Sequence, residues 1–263
     1  MNIDGQHILV TGGSQGIGVD IAKEFVKRGG KVTVLGRNAD RLEAVAAEIG
    51  GACVALDLAD PAALSDAVAE VESALGPVDV LINNAGAALV REAAAYAAGE
   101  TTQLMMINAV APMELIRQVL PRMARRGRGH IVNISSMAGV AAVPHMAVYG
   151  AGKAALHHYT AVVQRELDFD GSPVGMTLVT LGEVAGTQMM EDARQSPIIA
   201  AVSARLARTK ALPPITRADV AVAVADAVRH NRRNVTVPRR IGPMIGLRNA
   251  PSRLQDLVLR GIG

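Results

Sequence analysis

An apolar pentapeptide, His7 to Thr11 (HILVT), runs into the turn TGGSQGIG, and helical periodicity follows from Gly16 to Arg28. Glycines at 12, 13, 16 and 18 let a backbone come close to a pyrophosphate. The helix start at Gly16 to Gly18 presents free N–H groups at the positive end of a dipole, which suits an anion. A glycine-rich stretch alone is weak evidence, and a plain turn with no ligand is the alternative. Set between a strand and a helix, it reads as a nucleotide-binding element.

The alternation continues along the chain. Apolar runs at Lys31–Leu35, Ala52–Leu56, Val78–Asn83, His130–Ser135, Val174–Leu181 and Asn234–Pro238 read as further strands. Helical patterns cover Ala39–Glu48, Asp60–Leu75, roughly Thr102–Arg125, Ala147–Leu167 and Thr216–Arg229. Asp60-Pro61 is a helix start, and Pro112 should perturb the helix that contains it. Strict alternation with short connections predicts an α/β fold with a single Rossmann-like, doubly wound parallel sheet over residues 1–263. About seven strands with helices on both faces are expected. With two Phe, three Tyr and no Trp in 263 residues, the core must be built from Ala, Val, Leu, Ile and Met, which suits buried parallel strands.

Two segments stand apart. The insertion 186–214 carries Met189, Met190, Ile198, Ile199, Val202 and Leu206. It reads either as a substrate lid or as an ordinary helical excursion packed on the core. Residues 239–263 form a basic C-terminal extension, and from Arg229 onward eight arginines face one acid, Asp256. The aromatic stacking platform of single-strand binders is missing, which argues against nucleic acid. Leu254, Leu257 and Val258, flanked by Arg253 and Arg260, suit a membrane surface or, the favoured reading, packing against another subunit. One cysteine, no secretory-type opening and no apolar run of the roughly 18 residues that span a bilayer point to a cytoplasmic protein. Six scattered histidines and the single cysteine offer no ligand cluster, so no metal is expected.

Tyr149 and Lys153 of YGAGK lie one helical turn apart and so share a face, thirteen residues after Ser136. A cation beside a phenol favours its ionised form. That makes the hydroxyl a proton donor and acceptor useful near neutral pH. With a nucleotide held nearby, these residues point to hydride transfer. At the end of the second strand, where NAD-selecting folds place an acid, stand Gly36 and then Arg37. A guanidinium there can pair with a 2′-phosphate, so NADP(H) is favoured over NAD(H). Arg41 either assists or is a solvated helix charge. Asp57 either bonds the adenine amino group or shapes the turn into the next helix.

TGGSQGIG at 11–18, NNAG at 83–86, Asn108, Ser136 and the Tyr149 and Lys153 of YGAGK together resemble the short-chain dehydrogenase/reductase family, in order and spacing, to about Pro238. The resemblance implies an NAD(P)-dependent oxidoreductase acting on CH–OH and C=O groups, assembled as a homodimer or homotetramer. It implies Tyr149 as general acid, with Ser136 orienting the substrate oxygen and Ser135 structural. Lys153 would lower the Tyr149 pKa and bond the nicotinamide ribose, and Asn108 would hold a water linking Lys153 to solvent. A buried amide satisfying a helix break near Pro112 is the other reading of Asn108. Implied cofactor contacts are Thr11, Gly12, Ser14, Gln15, Gly16, Ile17, Gly18, Asp57, Leu58, Asn83, Ala85, Gly86, Val184 and Thr187, with Asn84 bonding the neighbouring strand.

The departures are specific. In LGEVAGTQM, Leu181 replaces the family's proline and Thr187 comes one residue late. Gly152 stands where a hydroxyl or alanine is common, which costs the helix about 1 kcal/mol. Gln15 sits where many NADP-dependent members carry a basic residue, so phosphate recognition leans on Arg37. Ala88, Met137, Ala138, Val143, His145 and Met189 are expected around the substrate. His145 serves either recognition or only a solvated loop. The mostly apolar set suggests a hydrophobic small-molecule ketone or secondary alcohol. A non-catalytic nucleotide-binding regulator is the rival, and the intact Ser136, Tyr149 and Lys153 argue against it.

Overall fold

Side chains alternate across a strand, so a strand buried on both faces feeds two cores. The computed structural model, described for residues 1–208 and 215–241, follows this rule. Ile8 and Val10 belong to one hydrophobic cluster and Leu9 to the other. The strands are β1 (His7–Thr11), β2 (Lys31–Gly36), β3 (Ala52–Ala55), β4 (Val80–Asn83), β5 (His130–Ser136), β6 (Gly175–Leu181) and β7 (Asn234–Val237). They form one parallel sheet in the order β3-β2-β1-β4-β5-β6-β7.

Helices α1 (Gly16–Lys27), α2 (Ala39–Ile49) and α10 (Arg217–Arg229) cover one face through Phe25, Leu42 and Val224. Helices α4 (Ala67–Leu75), α6 (Ala111–Arg125) and α7 (Ala147–Phe169) cover the other through Val71, Leu115 and Val163. Strand order reverses between β1 and β4. Their carboxyl ends therefore flank a crevice, the usual ligand position in open α/β sheets.

Two predicted helices are broken. The one expected over Asp60–Leu75 is α3 (Pro61–Leu64), capped by the Asp60 carboxylate on the Ala62 N–H at 2.9 Å, followed by α4. The one expected over Thr102–Arg125 is α5 (Glu100–Met105), a π-helical stretch at Met106–Val110, and then α6. Proline has no N–H to give the carbonyl four residues back. Pro112 therefore leaves the Asn108 carbonyl without that donor, and the ladder widens just before it.

The 186–214 segment holds α8 (Gln188–Ala193) and α9 (Pro197–Arg208). Ile199 is buried, and Met189, Met190 and Ile198 are half-buried. The Val202 and Leu206 side chains, residues 209–214 and the basic extension beyond 241 lie outside the described residues. Among the described residues no helix is long and apolar enough to cross a membrane.

Candidate active site

At the carboxyl end of β1, each glycine of the turn meets a different demand. A Cβ on Gly18 would sit 2.2 Å from the Gly12 carbonyl oxygen, so α1 can lie this close only without one. Gly16 has φ +59 and nothing within 4 Å of its would-be Cβ, so it faces open space. Gln15, at the N-cap of α1, makes no side-chain cap hydrogen bond, and the first turn holds no acid. The helix start is thus left uncapped by side chains and free of negative charge, which fits a phosphate.

Arg37 is exposed and makes no hydrogen bond or ion pair with the described residues. Arg41 reaches back from α2 and donates to Gln15 Oε1 at 2.7 Å. A cation therefore stands at the turn although the turn itself carries none, a link between residues 26 apart that spacing could not reveal.

Several residues expected to touch the cofactor are engaged elsewhere. The Thr11 hydroxyl donates to the Ile82 carbonyl at 3.3 Å and accepts from the Asn84 and Ala85 N–H groups, both at 3.0 Å. It clamps β1 to β4. Asn84 donates to the Thr11 carbonyl at 2.9 Å, the neighbouring-strand bond expected of it. Asn83 is buried, and its amide nitrogen donates to Asn133 Oδ1 at 2.8 Å, while its own Oδ1 has no partner among the described residues. Leu58 is buried in one hydrophobic cluster, with Ala85 packed against that cluster, and Ile17 packs against the cluster on the other face. Asp57 Oδ1 accepts from the Ala59 N–H at 2.9 Å, shaping the turn toward α3. Thr187 caps α8, accepting from Met190 and donating to the Val184 carbonyl at 3.2 Å. Val184 is buried, its backbone bridged to Ile215. Ser14 stays partly exposed beside Gly36.

At the carboxyl end of β5 three polar residues converge. Ser136 Oγ accepts from the Ala138 N–H at 3.2 Å, which opens the single turn at Met137–Gly139 and leaves its proton to donate. Tyr149, buried in the first turn of α7, has Ser136 as its hydrogen-bonding neighbour. Lys153 lies one turn further on, with Nζ 5.9 Å from the centre of the Tyr149 ring and donating to the Ile134 carbonyl at 3.0 Å. Ser135 donates to the Lys153 carbonyl at 3.2 Å, which fixes the helix to the strand and agrees with its structural assignment.

The electrostatics correct one expectation. Burial pushes the Tyr149 hydroxyl above the ordinary tyrosine range, and Ser136 draws it part of the way back. The shared helical face brings Lys153 close, yet burial is the largest influence on the phenol. Burial also lowers Lys153, to about 8.

Asn108 sits fully buried in the π stretch. Its amide donates to the Ala87 carbonyl at 2.7 Å and the Leu104 carbonyl at 2.9 Å, and its oxygen accepts from the Ala87 N–H at 3.2 Å. The side chain thus bonds backbone through both of its polar atoms. A Cβ on Gly86 would stand 3.2 Å from Asn108 Oδ1 and 3.4 Å from Lys153 Nζ, which places these three residues together.

His145 takes a left-handed conformation, φ 65, sparsely populated by residues other than glycine. Its carbonyl accepts from the Arg91 N–H at 2.8 Å, tying the approach to α7 to the segment after β4. Ala88, Met137, Ala138, Val143 and Met189 are all half-buried.

The family model described as short chain dehydrogenase covers residues 6–197. The chain is 36% identical over 242 residues to the ketoacyl reductase HetN of Nostoc sp., covering 89% of this chain and 79% of that protein. It is 38% identical over 184 residues to the NADP-dependent 3-hydroxy acid dehydrogenase YdfG of Salmonella typhi, covering 69% and 73%. A short-chain dehydrogenase/reductase from Burkholderia phymatum in complex with NAD superposes with a TM-score of 0.83 at 23% identity, over 97% of this chain and 96% of that one. The chain belongs to the short-chain dehydrogenase/reductase family, and with it to the NAD(P)-dependent oxidoreductases that act on carbonyl and alcohol groups.

Proposed function

We propose that this protein is an NADP(H)-preferring carbonyl reductase or alcohol dehydrogenase for a hydrophobic substrate, with Tyr149 as its general acid and base. The observation that carries the reading is the convergence of Ser136, Tyr149 and Lys153 where α7 meets the end of β5. In reduction, the Ser136 proton binds the carbonyl oxygen and orients it. Tyr149 delivers its own proton to that oxygen. Lys153, still charged below about pH 8, offsets the charge left on the phenolate and resupplies the proton. The Asn108 carbonyl, which can receive no N–H from Pro112, would offer a seat for the water that connects Lys153 to solvent. When bound, the nicotinamide supplies or takes up the hydride.

The preference for NADP(H) rests on Arg37, with Arg41 beside it, and the absence of an acid at Gly36. The glycine-rich turn, Gly12 to Gly18, and Gly86 would border the coenzyme, together with the backbones of Asn83, Ala85 and Val184. The half-buried, mostly apolar residues near Tyr149 support a medium-sized apolar substrate, and α8 and α9 would form its lid. A ketoacyl compound and a 3-hydroxy acid, the classes in the relatives' names, are suitable first candidates. The free Cys53 suits a reducing, cytoplasmic setting, and a homodimer or homotetramer is the expected assembly.

Coenzyme oxidation across a panel of ketones, acyl compounds and small charged carbonyls tests the reading. NADPH-dependent turnover of apolar members is expected, with a loss of about 10²–10⁴-fold in Tyr149→Phe. Equal turnover in that variant, or activity confined to small charged substrates, would contradict it.

A further inference from the structure

A glycine inside a helix weakens it relative to alanine. Gly152 nevertheless lies in the middle of the segment of α7 that carries Tyr149 and Lys153. It is buried, and its place in the packing explains the choice. A Cβ built on Gly152 would stand 2.8 Å from Asn108 Cβ and 3.7 Å from Met105 Sδ. Contacting carbons settle near 3.5–4.0 Å, so a side chain there would part α7 from the π stretch by about 1 Å.

Neither partner can yield freely. Asn108 is held by its bonds to Ala87 and Leu104. From another direction α7 is pressed against the turn after β5. A Cβ on Gly139 would stand 2.8 Å from the Lys153 carbonyl carbon, and one on Gly150 would stand 2.8 Å from the Ala138 carbonyl oxygen. The helix is wedged, and Lys153, the residue after Gly152, is the first to register a displacement.

We infer that Gly152 is a positioning residue: its missing side chain lets α7 seat against the π stretch, so that Lys153 and Asn108 are held in one buried cluster beneath Gly86. The inference rests on reading Lys153 and Asn108 as parts of the reductase site. It also accounts for a departure from the family pattern that helix propensity alone makes unfavourable.

Gly152→Ala is the test, because two accounts of the glycine give opposite signs. If Gly152 were only a weak point in the helix, alanine would raise Tm by about 3 °C and leave turnover intact. A positioning role predicts a lower Tm and a kcat reduced about 10–100-fold, since a displacement of about 1 Å at a reacting site costs up to two orders of magnitude. KM for NADPH should change less than kcat, because the glycine-rich turn and Arg37 lie on other elements and only the Lys153 contact to the ribose is disturbed. Asn108→Gly removes the opposing Cβ, so adding Gly152→Ala in that background should cost little more in either readout.

A raised Tm with undiminished kcat overturns the inference, as do equal losses in both backgrounds. Should Gly152→Ala alone give no folded protein, the double variant must restore folding, and failure to restore it also overturns the inference. If the wild-type protein reduces no carbonyl with either coenzyme, the functional reading fails, while the Tm comparison still decides whether Gly152 and Asn108 are coupled.

Discussion

Buried bases sit at both ends of this sheet, and the same physical cause gives them opposite consequences. At the amino ends of the strands, burial lowers His130 to about 4 and His7 below its usual value. Both are then neutral at pH 7, and both are hydrogen-bonded. His7 Nδ1 donates to the Gly76 carbonyl at 2.6 Å, which leaves Nε2 to accept from the Thr33 hydroxyl at 2.9 Å. The Thr177 proton goes to the Arg232 carbonyl, so its oxygen accepts from His130 Nε2 at 2.8 Å. At the carboxyl ends, burial lowers Lys153 only to about 8, so it still carries its charge at neutral pH against the Ile134 carbonyl. The lower end is at rest, while the upper end keeps a disfavoured charge that a mechanism can use.

Replacing Lys153 should sharpen that contrast most. Lys153→Met is expected to cut turnover by about 10²–10⁴-fold. It should also stabilise the fold at pH 7, because the native state no longer buries an ammonium. With the folded value near 8 against 10.5 for the unfolded chain, the cost is full below pH 8 and fades as pH rises to 10.5. The gain is on the order of 3 kcal/mol, readable by urea denaturation. An unchanged or lower midpoint would mean that the charge is better accommodated than its single bond implies.

The lower end should fail in acid. Below pH 6.5 the unfolded chain takes up protons that buried His130 refuses until about pH 4. Stability should therefore fall as pH drops through that window, by on the order of 3 kcal/mol, and be insensitive to His130 above it. His130→Gln, which keeps a donor for Thr177, should flatten the fall in denaturation curves taken at pH 7, 5.5 and 4.5. The smallest effect concerns coenzyme choice. Arg37→Ser should weaken NADPH binding about 10–100-fold by removing a charged hydrogen-bond donor, with NADH affinity unchanged. Equal losses for both coenzymes would place Arg37 outside the 2′-phosphate contact.

What the sequence made legible was periodic or local. The short apolar runs and the glycine turn were enough to place the seven described strands, because a strand buried on both faces is apolar along its length. The one-turn spacing of Tyr149 and Lys153 put both on one face. Spacing carries no information about depth, and depth reversed the expected shift of Tyr149. Motif membership likewise did not show that the Thr11 and Asn83 side chains hold neighbouring strands together or that Leu58 is buried in the core. Pro112 signalled a perturbed helix, but the π form of the stretch before it, and its contact with α7 at Gly152, are not written in local spacing.

Tyr149 as the proton donor is the central proposal, and bound coenzyme is expected to bring its hydroxyl back down. With no Trp and three Tyr in the chain, tyrosinate absorbance can be followed with little background, and Tyr149→Phe isolates the residue in question. In the free protein the Tyr149 component should titrate above the ordinary tyrosine range. Saturating NADP⁺ should bring it down, since added positive charge favours the phenolate. A Tyr149 titration that does not move when NADP⁺ binds would contradict the account.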